Sequence, residues 1–165
     1  MFVIRGEGGI NLGQHFVSND PTNRDGITQR EYLSYVIGLD WTVHDQLAAN
    51  FQFFQNVILN KPGDIEEDAV NNIVSVFFRA DFLNETIFPQ FTALYGINFG
   101  DFLLRPQVDY QIDDYLSVRL GMDIFLGSRS GLFGQFGAPA RAHRNGYFTG
   151  RNDRIFLELK RSFEI

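Results

Sequence analysis

Three histidines are the residues of this sequence best suited to acid–base chemistry. His44 lies between two segments of alternating hydrophobicity, whereas His15 and His143 lie in or beside longer polar stretches. A hydrolytic site needs a histidine that a carboxylate orients beside a nucleophile or an activated water. His143 and a carboxylate from another loop would meet that need, but no spacing in the sequence pairs them. We therefore expect three solvated histidines and a protein that is not an enzyme.

Two further segments contain residue types that bind metals or phosphates. The carboxylates of Asp64, Glu66, Glu67 and Asp68 could gather a hard cation, but the segment lacks the spaced glycine of a calcium loop. The glycines between positions 127 and 137 are not followed by the lysine and hydroxyl residue of a phosphate-binding loop. We expect a solvated acidic loop, no metal and no cofactor.

The segment from 127 to 153 is glycine-rich and basic. Arginine suits phosphate because its planar guanidinium group binds two oxygens at once. The arginines could bind lipopolysaccharide phosphates outside a barrel or fold inward as a constriction, and a surface loop without such contacts is the alternative. The candidate anion contacts are Arg129, Arg141, Arg144 and Arg151.

Most of the remaining sequence alternates between apolar and polar residues, which predicts β-strands with one apolar and one polar face. Eight segments follow this pattern, at about 2–12, 33–43, 47–56, 70–82, 87–99, 102–112, 116–126 and 155–163. Connections mostly alternate between short turns and long loops. The exception is Gly100-Asp101, for which the sequence predicts a two-residue turn with glycine first.

The alternation is clearest in the hairpin from 102 to 126. Residues directly opposite each other share a face, so a three-residue turn at 113–115 pairs Ile112 with Leu116. The same register places Arg105 opposite Asp123, and Asp109 opposite Arg119. Opposite charges facing each other across a ladder are stabilising. The charges and the apolar residues therefore predict one register.

The apolar face could lie inside a soluble sandwich or a lipocalin-like barrel, or outside in lipid. Strands of globular proteins usually have about five or six residues, whereas membrane-spanning strands need about 9–11. An eight-stranded barrel is only just wide enough to hold side chains, so the many large apolar residues fit more easily outside. We predict an antiparallel up-and-down transmembrane β-barrel. It is a single domain over 1–165 with eight strands, or the C-terminal segment of a larger barrel.

Two bands of aromatic residues favour lipid, because outer-membrane barrels carry such girdles at both interfaces. The band near the short turns contains Trp41, Phe82, Tyr110 and Phe163, and the band near the other ends contains Tyr35, Phe99 and Phe102. Buried charges need partners, so the polar face forms an ion-paired plug in a narrow barrel or lines a wet channel in a wider one. The predicted lumen-lining residues are Arg5, Glu7, Asp40, Arg79, Asp81, Arg105, Asp109, Arg119, Asp123, Arg154, Glu158 and Lys160.

The net charge of −6 and the absence of cysteine narrow the possible functions. A nucleic-acid-binding protein would need a basic face. Without cysteine there is no disulfide framework or thiolate metal site. No apolar run approaches the roughly 20 residues of a membrane-spanning helix, and Met1 leads directly into the first strand. We expect a chain that is already processed, a piece of a longer protein, or a cytoplasmic protein.

Five short segments resemble the C-terminal part of a bacterial outer-membrane family catalogued as domain-of-unknown-function family 1302. They are REYLSYVIGLDW at 30–41, QFFQ at 52–55, FFRADF at 77–82, GMDIFLG at 121–127 and NDRIFL at 152–157. The family's proteins are much longer than this chain, so the resemblance implies a C-terminal portion or an unusually short relative. It implies no catalytic residue.

The resemblance also implies a location and partners. Members of the family resemble outer-membrane barrels for apolar or lipid-like compounds that work beside inner-membrane exporters of the resistance-nodulation-division type. We therefore expect contact with outer-membrane lipid, lipopolysaccharide, the barrel assembly machinery and an exporter, and none with nucleic acid. The assembly machinery commonly reads a terminal aromatic residue, whereas here Phe163 is followed by Glu164 and Ile165. We predict a channel or transport barrel, with a non-conducting structural barrel as the alternative.

Overall fold

The computed structural model describes residues 1–128, 130–137 and 152–163. Eight antiparallel strands form one sheet in sequence order, which confirms the all-β, up-and-down arrangement. The strands are β1 (Phe2–Val17), β2 (Ile27–His44), β3 (Leu47–Ile58), β4 (Val70–Ala80), β5 (Ile87–Gly96), β6 (Asp101–Gln111), β7 (Leu116–Leu126) and β8 (Arg154–Arg161). A single turn of 3₁₀ helix, η1, covers Gly134–Phe136. Within the described residues the sheet is open, with β1 and β8 as its edges.

The connections lie at two opposite ends of the sheet. The described residues of the segments 18–26, 59–69, 97–100, 127–128, 130–137 and 152–153 lie at one end, called the loop end below. The connections 45–46, 81–86 and 112–115 lie at the other end, the turn end. Within the described segments, no helix has the length and apolar character needed to cross a membrane.

The first two strands are longer than the sequence pattern predicts. The predicted strands stop at 12 and start at 33, whereas β1 runs to Val17 and β2 starts at Ile27. A β-bulge at Gly13 shifts the register between Leu12 and Gln14. An extra residue in one strand reverses which side chains face each side, so the alternation breaks although the strand continues.

The connection between β5 and β6 also differs from the prediction. Gly96 pairs directly with Asp101, so the turn contains residues 97–100 and the two-residue turn at Gly100-Asp101 is wrong. Asn98 explains the early end of β5. Its side-chain amide donates to the Val70 carbonyl at 2.6 Å, and its side-chain oxygen accepts the Asn72 N–H at 2.9 Å, which holds the turn against β4.

The hairpin of β6 and β7 has the predicted register. The Ile112 N–H donates to the Leu116 carbonyl at 2.9 Å, and Asp109 lies directly opposite Arg119. The pairing of β6 with β7 is interrupted at Arg105 and Pro106, whereas the pairing of β6 with β5 is continuous there. Proline lacks a ladder donor, and the interruption shows that the missing N–H falls on the β7 side.

On strands within the sheet, such as β6 and β7, the two faces differ in exposure, and the polar face is the less exposed one. On the edge strands β1 and β8 both faces are largely exposed. On β7, Asp123 is 1% exposed, whereas its neighbours Leu120 and Met122 on the apolar face are 54% and 38% exposed. We call the polar face the inner face and the apolar face the outer face. This arrangement is inverted relative to a soluble sheet, in which the apolar face is the one packed on the core.

Buried apolar side chains are few and lie mainly at the loop end. Phe16, Ile58 and Ile65 form a small cluster with the half-buried Tyr32 against it. The Phe16 and Tyr32 rings are 5.8 Å apart between centroids. This cluster fixes the ends of β1, β2 and β3 against the 59–69 loop, and it does not extend along the sheet.

Candidate functional site: the inner face and the segment that crosses it

Asp123 is the centre of the first charge cluster on the inner face. Its two carboxylate oxygens accept from Arg105, at 2.5 Å, and from Arg154 on β8. The carboxylate is buried, whereas the Arg105 and Arg154 side chains remain 41% and 64% exposed. One carboxylate therefore joins three strands, and it holds two guanidinium groups that are still partly hydrated.

Arg119 is the centre of the second cluster, which lies nearer the turn end. Its guanidinium group donates to both oxygens of Asp109, at 2.5 and 3.1 Å, and to Glu158 at 3.5 Å. Gln90 donates to Asp109 at 2.9 Å and accepts from Gln107 at 2.9 Å. The network therefore crosses the inner face from β5 to β8.

The remaining predicted lumen residues follow the same inner face. Arg5 pairs with Asp40 at 2.6 Å, and Asn50 donates to Asp40 at 2.5 Å. Arg79 pairs at 3.2 Å with Asp81, which lies just beyond the end of β4. Two residues have no ion pair within the described part of the chain: Glu7 lines a groove with Arg5, and Lys160 lines a groove with Arg119 and Glu158.

A segment of the last loop crosses the inner face at the loop end. We call residues 130–137 the inner segment. The buried carboxylate of Asp101, at the start of β6, accepts the backbone N–H groups of Phe133 at 2.5 Å and Gly134 at 3.0 Å through Oδ2. Phe136 packs on the inward ring of Phe125, with centroids 5.5 Å apart. The inner segment is therefore held to β6 and β7 from inside.

Glycines allow this close approach. A Cβ atom on Gly127, whose φ is +107°, would lie 2.5 Å from the Asp101 Cα. A Cβ on Gly134 would overlap the Ser128 carbonyl, and one on Gly96 or Gly131 would overlap the Asp101 carboxylate. The other oxygen of Asp101, Oδ1, is buried without a hydrogen-bond partner. Asp101 thus lies in a cage that only glycines can form.

Replacing Asp101 with Ala is expected to release the inner segment. The Phe133 and Gly134 N–H groups would lose their acceptor while buried, at a cost of about 1–3 kcal/mol each. Hydrogen exchange at these two amides should become faster. Asp45→Ala, which removes an exposed carboxylate at the turn end, is the matched control. Unchanged protection of both amides in Asp101→Ala would contradict the assignment.

Connections at the loop end are also hydrogen-bonded to one another. The Ser18 hydroxyl donates to the Asp64 carboxylate at 2.6 Å, and the Asn19 N–H donates to the Asp64 carbonyl at 2.7 Å.

Within the 18–26 loop, Thr22 holds the Asp20 carboxylate. The hydroxyl of Thr22 donates to this carboxylate at 2.7 Å, and the N–H of Thr22 donates to it at 2.8 Å. Both bonds favour the ionised carboxylate and hold the pKa of Asp20 below its usual value.

The other candidate residues of the sequence are not gathered into a reactive site. His15 lies on β1, is exposed and shares a hydrogen bond of 2.7 Å with Gln29, and His44 is exposed at the end of β2. No group of metal-binding side chains occurs among the described residues. Arg129, Arg141, Arg144, Arg151 and His143 lie outside the described residues.

Sequence reasoning missed Asp101, which it placed in a turn. A signal was present, because glycines at 96, 100, 127, 131 and 134 flank the two segments that meet there. Glycines recurring in two distant segments indicate close approach of their backbones.

The comparisons with known proteins add no function for this site: no family model and no curated protein sequence matches the chain.

Proposed function

We propose that this chain forms an outer-membrane β-barrel channel whose inner charges and inner segment determine what passes. The inverted exposure of the two faces carries the proposal. Leu120, Leu157 and Ile37 are exposed on the outer face, whereas the Asp123 carboxylate between two arginines is buried. Exposed apolar surface of this extent needs a nonaqueous contact, and a barrel in lipid supplies one on every strand.

The length of β2 matches the thickness of an ordinary membrane. Tyr35 and Val43 on β2 span about 26 Å along the strand at about 3.3 Å per residue, which a tilted strand can match to the hydrocarbon core. At one end of this span, Tyr35, Gln55 and Asn72 hydrogen-bond to one another on the outer face, at 2.7 and 2.6 Å. Beyond this polar row the outer face continues with Leu33, Val57 and Val70.

Conductance in a planar bilayer tests the proposal. Stable single-channel steps from the purified, inserted chain are expected, and Asp101→Ala should change their size because the inner segment crosses the proposed lumen. An inserted but silent protein would contradict the channel. A chain that stays monomeric and soluble without detergent would contradict the barrel itself.

The alternative is a non-conducting barrel plugged by its own ion pairs. The buried position of Asp123 between two arginines favours it, because such a pair can fill a narrow lumen. A silent inserted protein is the outcome that this alternative requires.

Closure of the barrel has its own test. Ile10→Cys is combined in turn with Ile155→Cys, Leu157→Cys and Leu159→Cys, which cover three registers between β1 and β8 on the outer face. A disulfide in one combination means an eight-stranded barrel, because the two Cα atoms must come within about 7 Å. If none of the three cysteine pairs forms a disulfide, further strands lie between β1 and β8. Ile10→Cys with Leu33→Cys, opposite each other on β1 and β2, is the positive control.

The basic segment contributes a further prediction. Arg141→Gln with Arg144→Gln is expected to weaken lipopolysaccharide binding or to change ion selectivity, because each guanidinium group offers a paired contact to phosphate or another anion. Arg24→Gln with Lys61→Gln removes two charges from the loops 18–26 and 59–69 and is the control. Equal results for the two double variants would leave no special role for Arg141 and Arg144.

A further inference from the structure

A cleft of about 480 Å³ lies at the loop end between the inner segment and the ends of β1–β4. This volume is within the range of small-molecule sites, about 300–1,000 Å³. Its apolar lining is formed by Phe16, Tyr32, Ile58, Phe99 and Leu132. The cleft is separate from the charge clusters centred on Asp123 and Arg119, none of whose residues line it.

Both walls of the cleft are fixed by contacts that are already buried. On one side, Phe16 and Ile58 belong to the small apolar cluster that packs under the 59–69 loop. On the other side, the inner segment is held by the Asp101 carboxylate through Phe133 and Gly134. A preformed site loses little conformational freedom when a ligand binds. The cleft is therefore built to accept a ligand without rearrangement.

The charge of the lining determines which ligand fits. Glu66, Glu67 and Asp68 line the cleft, and no Lys or Arg of the described chain does so. Asp68 is tied to the cleft rim by Asn98, which donates to its carboxylate at 3.3 Å. Among the described lining residues, an anionic ligand would meet three carboxylates and no cation. A neutral apolar ligand would leave the acidic side unused.

The aromatic lining suits the same ligand as the carboxylates. The aromatic rings of Phe16, Tyr32 and Phe99 line the cleft. The π face of such a ring attracts cations within about 6 Å, and quaternary ammonium groups are recognised in this way. We propose that this cleft binds an organic cation, with a quaternary or protonated amine on an apolar body. This inference rests on the proposed function, because the cleft stands at the loop end of the proposed lumen and would select cations for it.

Binding of phenyltrimethylammonium to the full chain in a neutral detergent tests the inference by calorimetry. The uncharged N,N-dimethylaniline and the anion benzoate are the comparison ligands. We expect the cation to bind most tightly and benzoate not at all. Tyr32→Leu should weaken cation binding about 2- to 30-fold through loss of the ring face. Glu66→Gln with Glu67→Gln should weaken it about fivefold at low salt and less at high salt.

Asp45→Asn with Asp114→Asn removes two exposed charges at the turn end and should leave binding unchanged. N,N-dimethylaniline binding as tightly as the cation would overturn the inference. Equal affinities of the wild type, Tyr32→Leu and the two-glutamine variant would also overturn it. Selective cation binding by a chain that is silent in bilayers would retain this site while contradicting the channel, so the two failures are distinguishable.

Discussion

Leu120→Arg is expected to destabilise the bilayer-inserted fold by about 2–4 kcal/mol, the cost of a cation at the mid-membrane lipid face of a barrel. Leu120 is 54% exposed on the outer face and lies between Val108 of β6 and Leu157 of β8. In water, an exposed leucine replaced by arginine would cost little. The substitution therefore distinguishes the two solvents by the size of its effect.

Leu83→Arg is the matched control for Leu120→Arg. Leu83 has the same side chain and is also exposed, at 69%, but it lies in the 81–86 connection at the turn end. At a membrane interface the same change costs about 0–1 kcal/mol. Both variants are unfolded with urea from liposomes of one lipid. Equal costs for the two positions would refute the lipid-facing assignment of the outer face.

The sequence predicted the fold best where two independent patterns agreed. On β6 and β7, alternation assigned each residue to a face, and the charges Asp109 and Arg119 restricted the register to one solution. A shift by one residue would have turned both charges onto the apolar face. Strand order followed because each strand pairs with its neighbour in sequence.

The same pattern failed where the backbone departs from period two. The bulge at Gly13 turns Phe16 to the inner face, opposite to what the preceding alternation implies. At Asn98, side-chain hydrogen bonds end β5 although Tyr95, Ile97 and Phe99 continue the alternation. Neither event can be read from hydrophobicity, because one depends on a backbone irregularity and the other on a contact with β4.

The candidate site was predictable where face and register together determine the contact. Ion pairs across adjacent strands, such as Arg5 with Asp40, follow from face and register. The cleft at the loop end could not be predicted, because it requires the inner segment to fold back 32 residues in sequence onto Asp101. Long-range contacts between loops depend on tertiary packing that local patterns do not contain.

Asp123→Asn is expected to destabilise the folded chain by about 3 kcal/mol. Removal of one partner from a buried ion pair typically costs about 3–5 kcal/mol, because the charge that remains is uncompensated. Here Arg105 and Arg154 would face each other across β7 without a carboxylate. The value lies at the lower end because both guanidinium groups stay partly hydrated.

Asp109→Asn is the matched control on the same face. Arg119 would keep Glu158, and the Asp109 side chain is 18% exposed whereas that of Asp123 is 1% exposed. The Asp109–Arg119 pair is therefore closer to surface ion pairs, which contribute about 0–1 kcal/mol. Asn retains the shape of Asp at both positions. A difference between the two variants would therefore report the environment of the charge and not the volume of the side chain.

Double-mutant cycles with Arg105→Gln and Arg119→Gln separate the ion pairs from other effects of each substitution. We expect the Asp123–Arg105 coupling to persist in high salt, because screening is weak for buried pairs, and the Asp109–Arg119 coupling to be screened. Weak, screened coupling at both pairs would mean a lumen that is wet throughout, as a wide channel requires. Strong, salt-insensitive coupling at both would mean a lumen closed to water, and would favour the plugged barrel over the channel.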